Sequence, residues 1–257
     1  MMFELSYSAI SDWLNGNQGV LAVGLFVTTL LFGWATGIFA SLRRKPRLKI
    51  EVIPGPTFVC TYGIGQKHEG FDAHRTGIAL YLKIANIGSA STSIEDVWVG
   101  YRWAIHPSSK LWWKYGLFRF WITHQTVALQ DFQVDIGGDN TKVYPFLTQI
   151  SSLSGGSTDT FLEVGKSGNG VVYFEQSDSF GGCFPYSVDN QVNFKIVIVD
   201  VYGKKHRQRI TVPKVKLAEA RKYNPSFGMT LTLLNEGKEV FDLPTDHHGN
   251  LIPPVQD

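Results

Sequence analysis

Residues that could bind a metal or transfer protons occur in three short groups. Imidazole and carboxylate groups are the usual zinc ligands and the usual general acids and bases. Polar side chains in loops and tails are more often simply solvated, so the sequence predicts no metal site and no catalytic site. The groups are Asp246 with His247 and His248, His68 and His74 with Glu69 and Asp72 between them, and His206 in the basic turn 204–207.

The sequence motifs that accompany common enzyme chemistries are missing. There is no GxSxG, HExxH or CxxC motif and no phosphate-binding glycine loop. Asp96 and Asp200 lie within predicted strands, where we expect them to bond to turn backbone or to face solvent. The chain is therefore predicted to be neither an enzyme nor a cofactor-binding protein.

Cys60 and Cys183 are the two cysteines of the chain. They could form one disulfide, but two unpaired thiols in a reducing compartment is the favoured reading.

The segment Ser109–Ile122, SKLWWKYGLFRFWI, interleaves large aromatic rings with basic residues. Aromatic rings bury a large area, so these rings are predicted to fill a core or to cover a sheet edge. The alternative is contact with a membrane surface, where aromatic and basic residues are both favourable. Four residues are the candidates for membrane or partner contact: Trp112, Trp113, Phe118 and Trp121.

An uncharged, apolar run near the N-terminus predicts a transmembrane helix over residues 18–42. Its core, Val20–Leu42, is long enough as a helix to cross a hydrocarbon layer of about 30 Å. A cleaved signal peptide would have a basic N-terminal region and a shorter apolar stretch. The residues before this run include Glu4 and Asp12 and no lysine or arginine, which argues against a signal peptide.

The charges beside the apolar run predict its orientation. Lysine and arginine stay on the cytoplasmic side, and all 24 of them lie after the run. Residues 1–17 are thus expected outside and the body in the cytoplasm, as in a single-pass protein of a bacterial inner membrane. Within the juxtamembrane segment 43–50, the residues expected to contact lipid head groups are Arg43, Arg44, Lys45 and Arg47.

Small residues recur every four positions in the predicted membrane helix. Such a strip lets two helices approach closely and so favours a homo-oligomer, although glycine is common in membrane helices in any case. The strip comprises Thr29, Gly33, Gly37 and Ser41.

Alternating apolar and polar residues predict several short strands between residues 47 and 213. The first is at Leu48–Val52, others lie at 78–86 and 94–103, and a hairpin covers 192–212. This pattern resembles an immunoglobulin-like antiparallel β-sandwich, though without the Cys-Trp-Cys spacing of antibody domains. The mainly β fold would carry the aromatic insertion and, within 214–257, a short helix at Lys214–Tyr223 and a polar tail.

Beyond the five basic residues at 43–49, the body is close to neutral, with 19 basic and 20 acidic residues. A neutral body disfavours nucleic-acid binding. The expected function is a membrane-anchored module for protein interaction or sensing, with loops at 62–75 and 106–127 as binding surfaces. The alternative is a small effector that senses a signal and perturbs the bilayer through helix oligomers.

Overall fold

The computed structural model describes residues 7–38, 44–68, 70–105, 109–138, 140–148, 159–237 and 239–244. It divides the chain into two compact units, Met1–Lys45 and Pro46–Asp257, and each is treated by itself below.

The N-terminal unit contains two helices, α1 (Tyr7–Gly16) and α2 (Gln18–Ala35). The sequence did not predict α1, whose residues were assigned to a short tail. Of the described residues, α2 is the one helix long and apolar enough to cross a membrane. The predicted helix extends to Leu42, whereas α2 ends at Ala35, Gly37 has a φ of +74°, and residues 39–43 lie outside the described residues. A left-handed glycine two residues after a helix is a common way of ending it.

The body is mainly β. Its elements in chain order are β1 (Leu48–Val52), β2 (Phe58–His68), β3 (Phe71–Asn86), β4 (Thr92–Tyr101), a π-helical turn (Trp112–Gly116), β5 (Phe120–Ile122), β6 (Phe132–Gly137), β7 (Asn140–Tyr144), β8 (Phe161–Leu162), β9 (Ser167–Ser179), β10 (Ser187–Val188), β11 (Gln191–Asp200), β12 (Lys205–Pro213), α3 (Leu217–Ala220), α4 (Leu231–Asn235) and β13 (Phe241–Asp242).

The first sheet is built around the long strand β3. One edge of β3 pairs with β9, and the other pairs with β2 near its start and with β1 near its end. Strand β13 then pairs with the outer edge of β2. All of these pairings are antiparallel.

The second sheet has the order β12–β11–β4–β5, also antiparallel. Short strands extend it, because β10 pairs with β11 and β8 pairs with β4. A separate hairpin is formed by β6 and β7.

Two hydrophobic cores hold the body together. The first contains inward side chains of both main sheets, such as Leu80 from β3, Val99 from β4 and Ile196 from β11, all fully buried. The second covers the opposite face of the first sheet with side chains from the β6–β7 hairpin and from the segment after β12, including Phe132 and Phe227. The first sheet is therefore buried on both faces.

The mainly β, antiparallel prediction is confirmed, and β1, β3, β4 and the β11–β12 hairpin lie close to the predicted strands. The predicted loop over 62–75 is wrong, since these residues form most of the β2–β3 hairpin. The β6–β7 hairpin was missed. The predicted helix Lys214–Tyr223 is reduced to the single turn of α3.

Candidate functional site

The apolar side chains of α2 are exposed along its length. Leu25 is 75% exposed and Trp34 is 76% exposed, while Gly33 is the buried residue of this helix. The hydroxyl groups of Thr28 and Thr29 donate to the carbonyl oxygens of Gly24 and Leu25, four residues earlier. Those bonds satisfy the polar groups within the helix, so its outer surface is almost wholly hydrocarbon.

The predicted association strip is only partly placed on α2. Thr29 and Gly33 lie four residues apart in the helix, whereas Gly37 follows its end. Ser41 lies outside the described residues. The described residues thus place two of the four predicted positions, Thr29 and Gly33, on α2.

Three of the four predicted head-group residues fall in the described chain. Arg44, Lys45 and Arg47 are all exposed, and Arg43 lies outside the described residues. The backbone of Arg47 is fixed by the body, since its carbonyl oxygen accepts a 2.8 Å hydrogen bond from the N–H of Ile87.

The aromatic insertion is divided between a packed set and an exposed set. Tyr115 and Phe120 pack on Trp103, with ring centroids 4.3 Å and 4.7 Å apart. Trp113 and Phe118, in contrast, are 61% and 71% exposed. The favoured prediction of core or edge packing describes the first set. The second set is mostly open to solvent, although the ring of Trp113 lies edge-on to that of Trp112 at 5.3 Å.

Backbone hydrogen bonds hold the insertion in place. The Ser109 hydroxyl accepts a 3.0 Å bond from the N–H of Trp112, and the N–H of Leu117 donates to the Trp112 carbonyl at 3.0 Å. The second bond spans five residues, which is the π-helical pattern. The indole of Trp112 lies over Gly116, where an added Cβ would come within 2.5 Å of the ring. The exposed ring of Trp113 is thus carried on a hydrogen-bonded turn, and Phe118 follows two residues after the turn ends.

Trp121, the fourth predicted contact residue, covers the sheet edge. It lies opposite Gly100 in the β4–β5 pairing, and its ring lies against that glycine. It remains 37% exposed.

A polar cluster that sequence reasoning missed lies at the first sheet, between β2, β3 and β9. The Tyr62 hydroxyl donates to the Glu175 carboxylate, and the Arg75 guanidinium contacts both Glu175 and Asp178. Burial raises the pKa of Glu175, against the opposing effects of Tyr62 and Arg75. Burial likewise raises the pKa of Tyr62. These residues are far apart in sequence, and no local motif marks them.

A pocket of about 270 Å³ opens beside this cluster. Its lining includes Tyr173, Glu175, Asn224, Phe227 and Met229. The walls are mostly apolar, and Glu175 is already engaged by Tyr62.

Asp200 and His206 are structural rather than solvated. Asp200 is fully buried, and its Oδ2 lies 2.8 Å from Nε2 of His206. Nδ1 of His206 accepts a hydrogen bond from the backbone N–H of Leu48 at 3.2 Å, so the neutral ring donates from Nε2 to Asp200. The expectation that Asp200 bonds to turn backbone is confirmed, because its Oδ1 accepts from the N–H groups of Tyr202 and Lys204. The solvated hairpin end expected at His206 is wrong.

Other candidates for chemistry are also placed. His74 is buried in β3, where burial lowers its pKa, rather than lying in a solvated loop. Asp96 accepts a 2.9 Å bond from the indole N–H of Trp98. The described residues contain no group of three or more histidine, cysteine or carboxylate side chains placed to hold a metal. Asp246, His247 and His248 lie outside the described residues.

Both cysteines are free thiols, as the favoured reading expected. Burial raises the pKa of Cys60 to about 12, so this thiol is not a reactive nucleophile. Burial also raises the pKa of the half-buried Cys183.

Comparison with known proteins adds no assignment: neither a protein-family model nor a curated protein sequence matches this chain.

Proposed function

We propose that this chain is a single-pass membrane protein whose β body is a non-catalytic, cytoplasmic module that binds a protein partner. The observation that supports the proposed membrane anchor is the exposure of uncharged apolar side chains along α2. Lipid would cover that surface, and the basic residues that follow would retain the body in the cytoplasm.

The fold of the body is proposed to be an immunoglobulin-like sandwich. In such a sandwich, strands A, B and E share one sheet and strands C, F and G share the other. The pairings of β1, β3 and β9 correspond to A, B and E, and those of β4, β11 and β12 correspond to C, F and G. The edge strand β5 takes the place of C′. A strand-pairing map from NMR would test this assignment.

The aromatic insertion is the proposed surface for the protein partner. Large rings exposed on an ordered support are typical of the residues that dominate protein–protein binding. Trp113 and Phe118 fit this description. Trp113 lies on the turn, and Phe118 lies between Tyr115 and Phe120, whose rings pack together. The neighbouring Lys110 and Lys114 are both exposed and favour a partner with an apolar centre and an acidic rim.

A photo-crosslinking amino acid placed at Phe118 in the full chain, in its native membrane, tests this surface. A discrete protein adduct at Phe118 supports the proposal if it is lacking when the same group is placed at Ile136, which is similarly exposed. Adducts with lipid alone would overturn the protein-binding surface in favour of membrane contact, and no adduct would overturn it as well. Release of the chain from membranes by alkaline carbonate would overturn the anchor.

A further inference from the structure

The outer face of the second sheet collects basic side chains that are scattered in the sequence. Alternate residues of β4, β11 and β12 enter the first core, so the residues between them point outward. Directly paired residues of antiparallel strands project from the same face. The outward residues can therefore be read as rows across the strands.

Two such rows run across the sheet. One joins Trp121, Gly100, Lys195 and Arg209, and the next joins Trp98, Val197 and Arg207. Lys205 lies over the Trp98 ring, with its Nζ 4.3 Å from the centroid. Arg119 reaches across the sheet, since its Nη1 lies 3.5 Å from the Asn193 carbonyl oxygen.

These rows form what we call the outer basic face. Its six members come from four separate stretches of the chain, and each is at least partly exposed to solvent. They are Arg102, Arg119, Lys195, Lys205, Arg207 and Arg209.

The charges of this face are not neutralised within the described chain. No ion pair joins any of the six to a carboxylate among the described residues. Asp96 points outward on β4 but is bonded to the Trp98 indole, and the exposed Glu95 precedes it. Burial lowers the pKa of Arg119, and the positive charges of Arg102 and Arg209 lower it further. The guanidinium groups are thus close enough to repel one another.

Outside this face the body is close to neutral. Of the residues after position 49 that the structure describes, and with Glu95 and Asp96 beside the face set aside, 12 basic and 14 acidic residues remain. The body is therefore electrically polarised, and an anionic partner would meet it at the second sheet.

We propose that the outer basic face binds the anionic head groups of the membrane, so that the second sheet lies against the bilayer. This inference rests on the proposed membrane anchor. Twelve residues, 36–47, connect α2 to β1, so the tether keeps the face at a high effective concentration near lipid. Each basic residue near an anionic surface adds about 1 kcal/mol of attraction, which is weak singly and effective in sum.

The geometry favours lipid over single-stranded nucleic acid. Nucleic-acid faces present open aromatic rings on which bases stack. Here the ring of Trp98 is covered by the ammonium group of Lys205, and one side of the Trp121 ring lies on Gly100. The face offers charge and guanidinium donors rather than stacking platforms.

A fluorescent label on the face tests the proposal. The full chain, with Thr211→Cys as the label site and Cys183→Ser to remove the half-buried thiol, is reconstituted in phosphatidylcholine vesicles with or without phosphatidylglycerol. Thr211 is exposed at an outward position of β12. With brominated lipids as quenchers, we expect quenching at least about threefold stronger in the anionic vesicles, and weaker at high salt.

Charge variants provide the matched controls. Changing Lys195, Arg207 and Arg209 together to glutamine should abolish the difference between the two vesicles. Changing Lys67, Lys142 and Lys216, exposed and outside the face, should leave it intact. Equal quenching of the label in both kinds of vesicle overturns the proposal. So does a label that added single-stranded RNA shields from the quencher while its quenching does not respond to anionic lipid.

The same preparation separates the two proposals. If the chain resists alkaline extraction but the quenching does not depend on the lipid, the proposed membrane anchor stands and the proposed role of the outer basic face is overturned. If the chain is extracted yet still binds added anionic vesicles through these basic residues, the proposed anchor is overturned and the proposed role of the outer basic face is supported.

Discussion

At the scale of single residues, Asp200 holds the end of the β11–β12 hairpin. Its carboxylate accepts hydrogen bonds from two backbone N–H groups and from His206, and it is fully buried. Asp200→Ala leaves those donors unpaired and should lower the free energy of unfolding by about 3 kcal/mol. Urea unfolding of the detergent-solubilised chain measures this, with the exposed Glu239→Ala as a control that should change little. A loss below about 1 kcal/mol would contradict the role given to Asp200.

The sequence located this carboxylate but not the group it meets. Asp200 at the end of an apolar strand gave reason to expect a bond to the turn. His206 lies six residues after Asp200 among lysines and arginines, and nothing nearby in the sequence indicates that the backbone N–H of Leu48 bonds to its ring. A contact across 158 residues depends on how the two sheets face each other.

Glu175 predicts a pH dependence of stability. Burial raises its pKa above the ordinary 4.5, so the folded chain binds this proton more tightly than the unfolded chain does. The free energy of unfolding should therefore fall as the pH rises from 4.5 through the raised pKa of Glu175, and then level off. Glu175→Gln should remove this part of the pH profile, as followed by thermal unfolding. Glu163→Gln, which alters an exposed carboxylate, should keep the profile; an unchanged profile in Glu175→Gln would count against the buried carboxylate.

At the scale of elements, two glycines of β9 provide a matched test of packing. The segment after β7 crosses Gly170 so closely that an added Cβ would lie 2.6 Å from the Leu147 backbone. At Gly168 the nearest atom would be 3.7 Å away. Gly170→Ala should destabilise the body by about 2 kcal/mol because the crossing backbone must shift, whereas Gly168→Ala should be near neutral. Equal midpoints of chemical denaturation for the two variants would show that this crossing is not close in solution.

Strands were predictable where one face is apolar and the other polar, and were missed where that contrast is lost. β1 alternates clearly, as does β11 from Gln191 to Ile196. In β2, residues from Phe58 to Ile64 are buried without interruption, because the first sheet is covered on both faces. Within it, Gly63 makes room for the ring of Phe241 on β13.

The sequence identified the aromatic insertion by its composition but did not predict which of its rings are packed and which are exposed. Neither a helical nor a strand period fits all of its rings, because the segment turns from a π-helical turn into β5 within a few residues. Which rings become exposed depends on Trp103, which lies before the insertion and covers Tyr115 and Phe120.

At the scale of the whole molecule, the total charge concealed the distribution of charge. A near-neutral body disfavoured nucleic-acid binding, but the same total also hid the outer basic face. Lys195 and Arg209 are 14 positions apart in sequence and become neighbours only through the β11–β12 register. Charge totals describe a surface only after the sheet pairings are known.

The orientation of the chain in the membrane provides the last prediction. If the basic residues that follow α2 retain the body in the cytoplasm, replacing Arg43, Arg44, Lys45 and Arg47 together by glutamine should raise the inverted fraction at least about tenfold. A C-terminal reporter that fluoresces only in the cytoplasm, read against protease access from outside, measures that fraction. Glutamine at four basic residues far from α2 in sequence, Lys67, Lys83, Lys142 and Lys216, removes the same charge and should leave the orientation unchanged. Equal inversion in both variants would mean that total charge, and not its position beside the apolar helix, directs the body, and the proposed orientation would lose its physical basis.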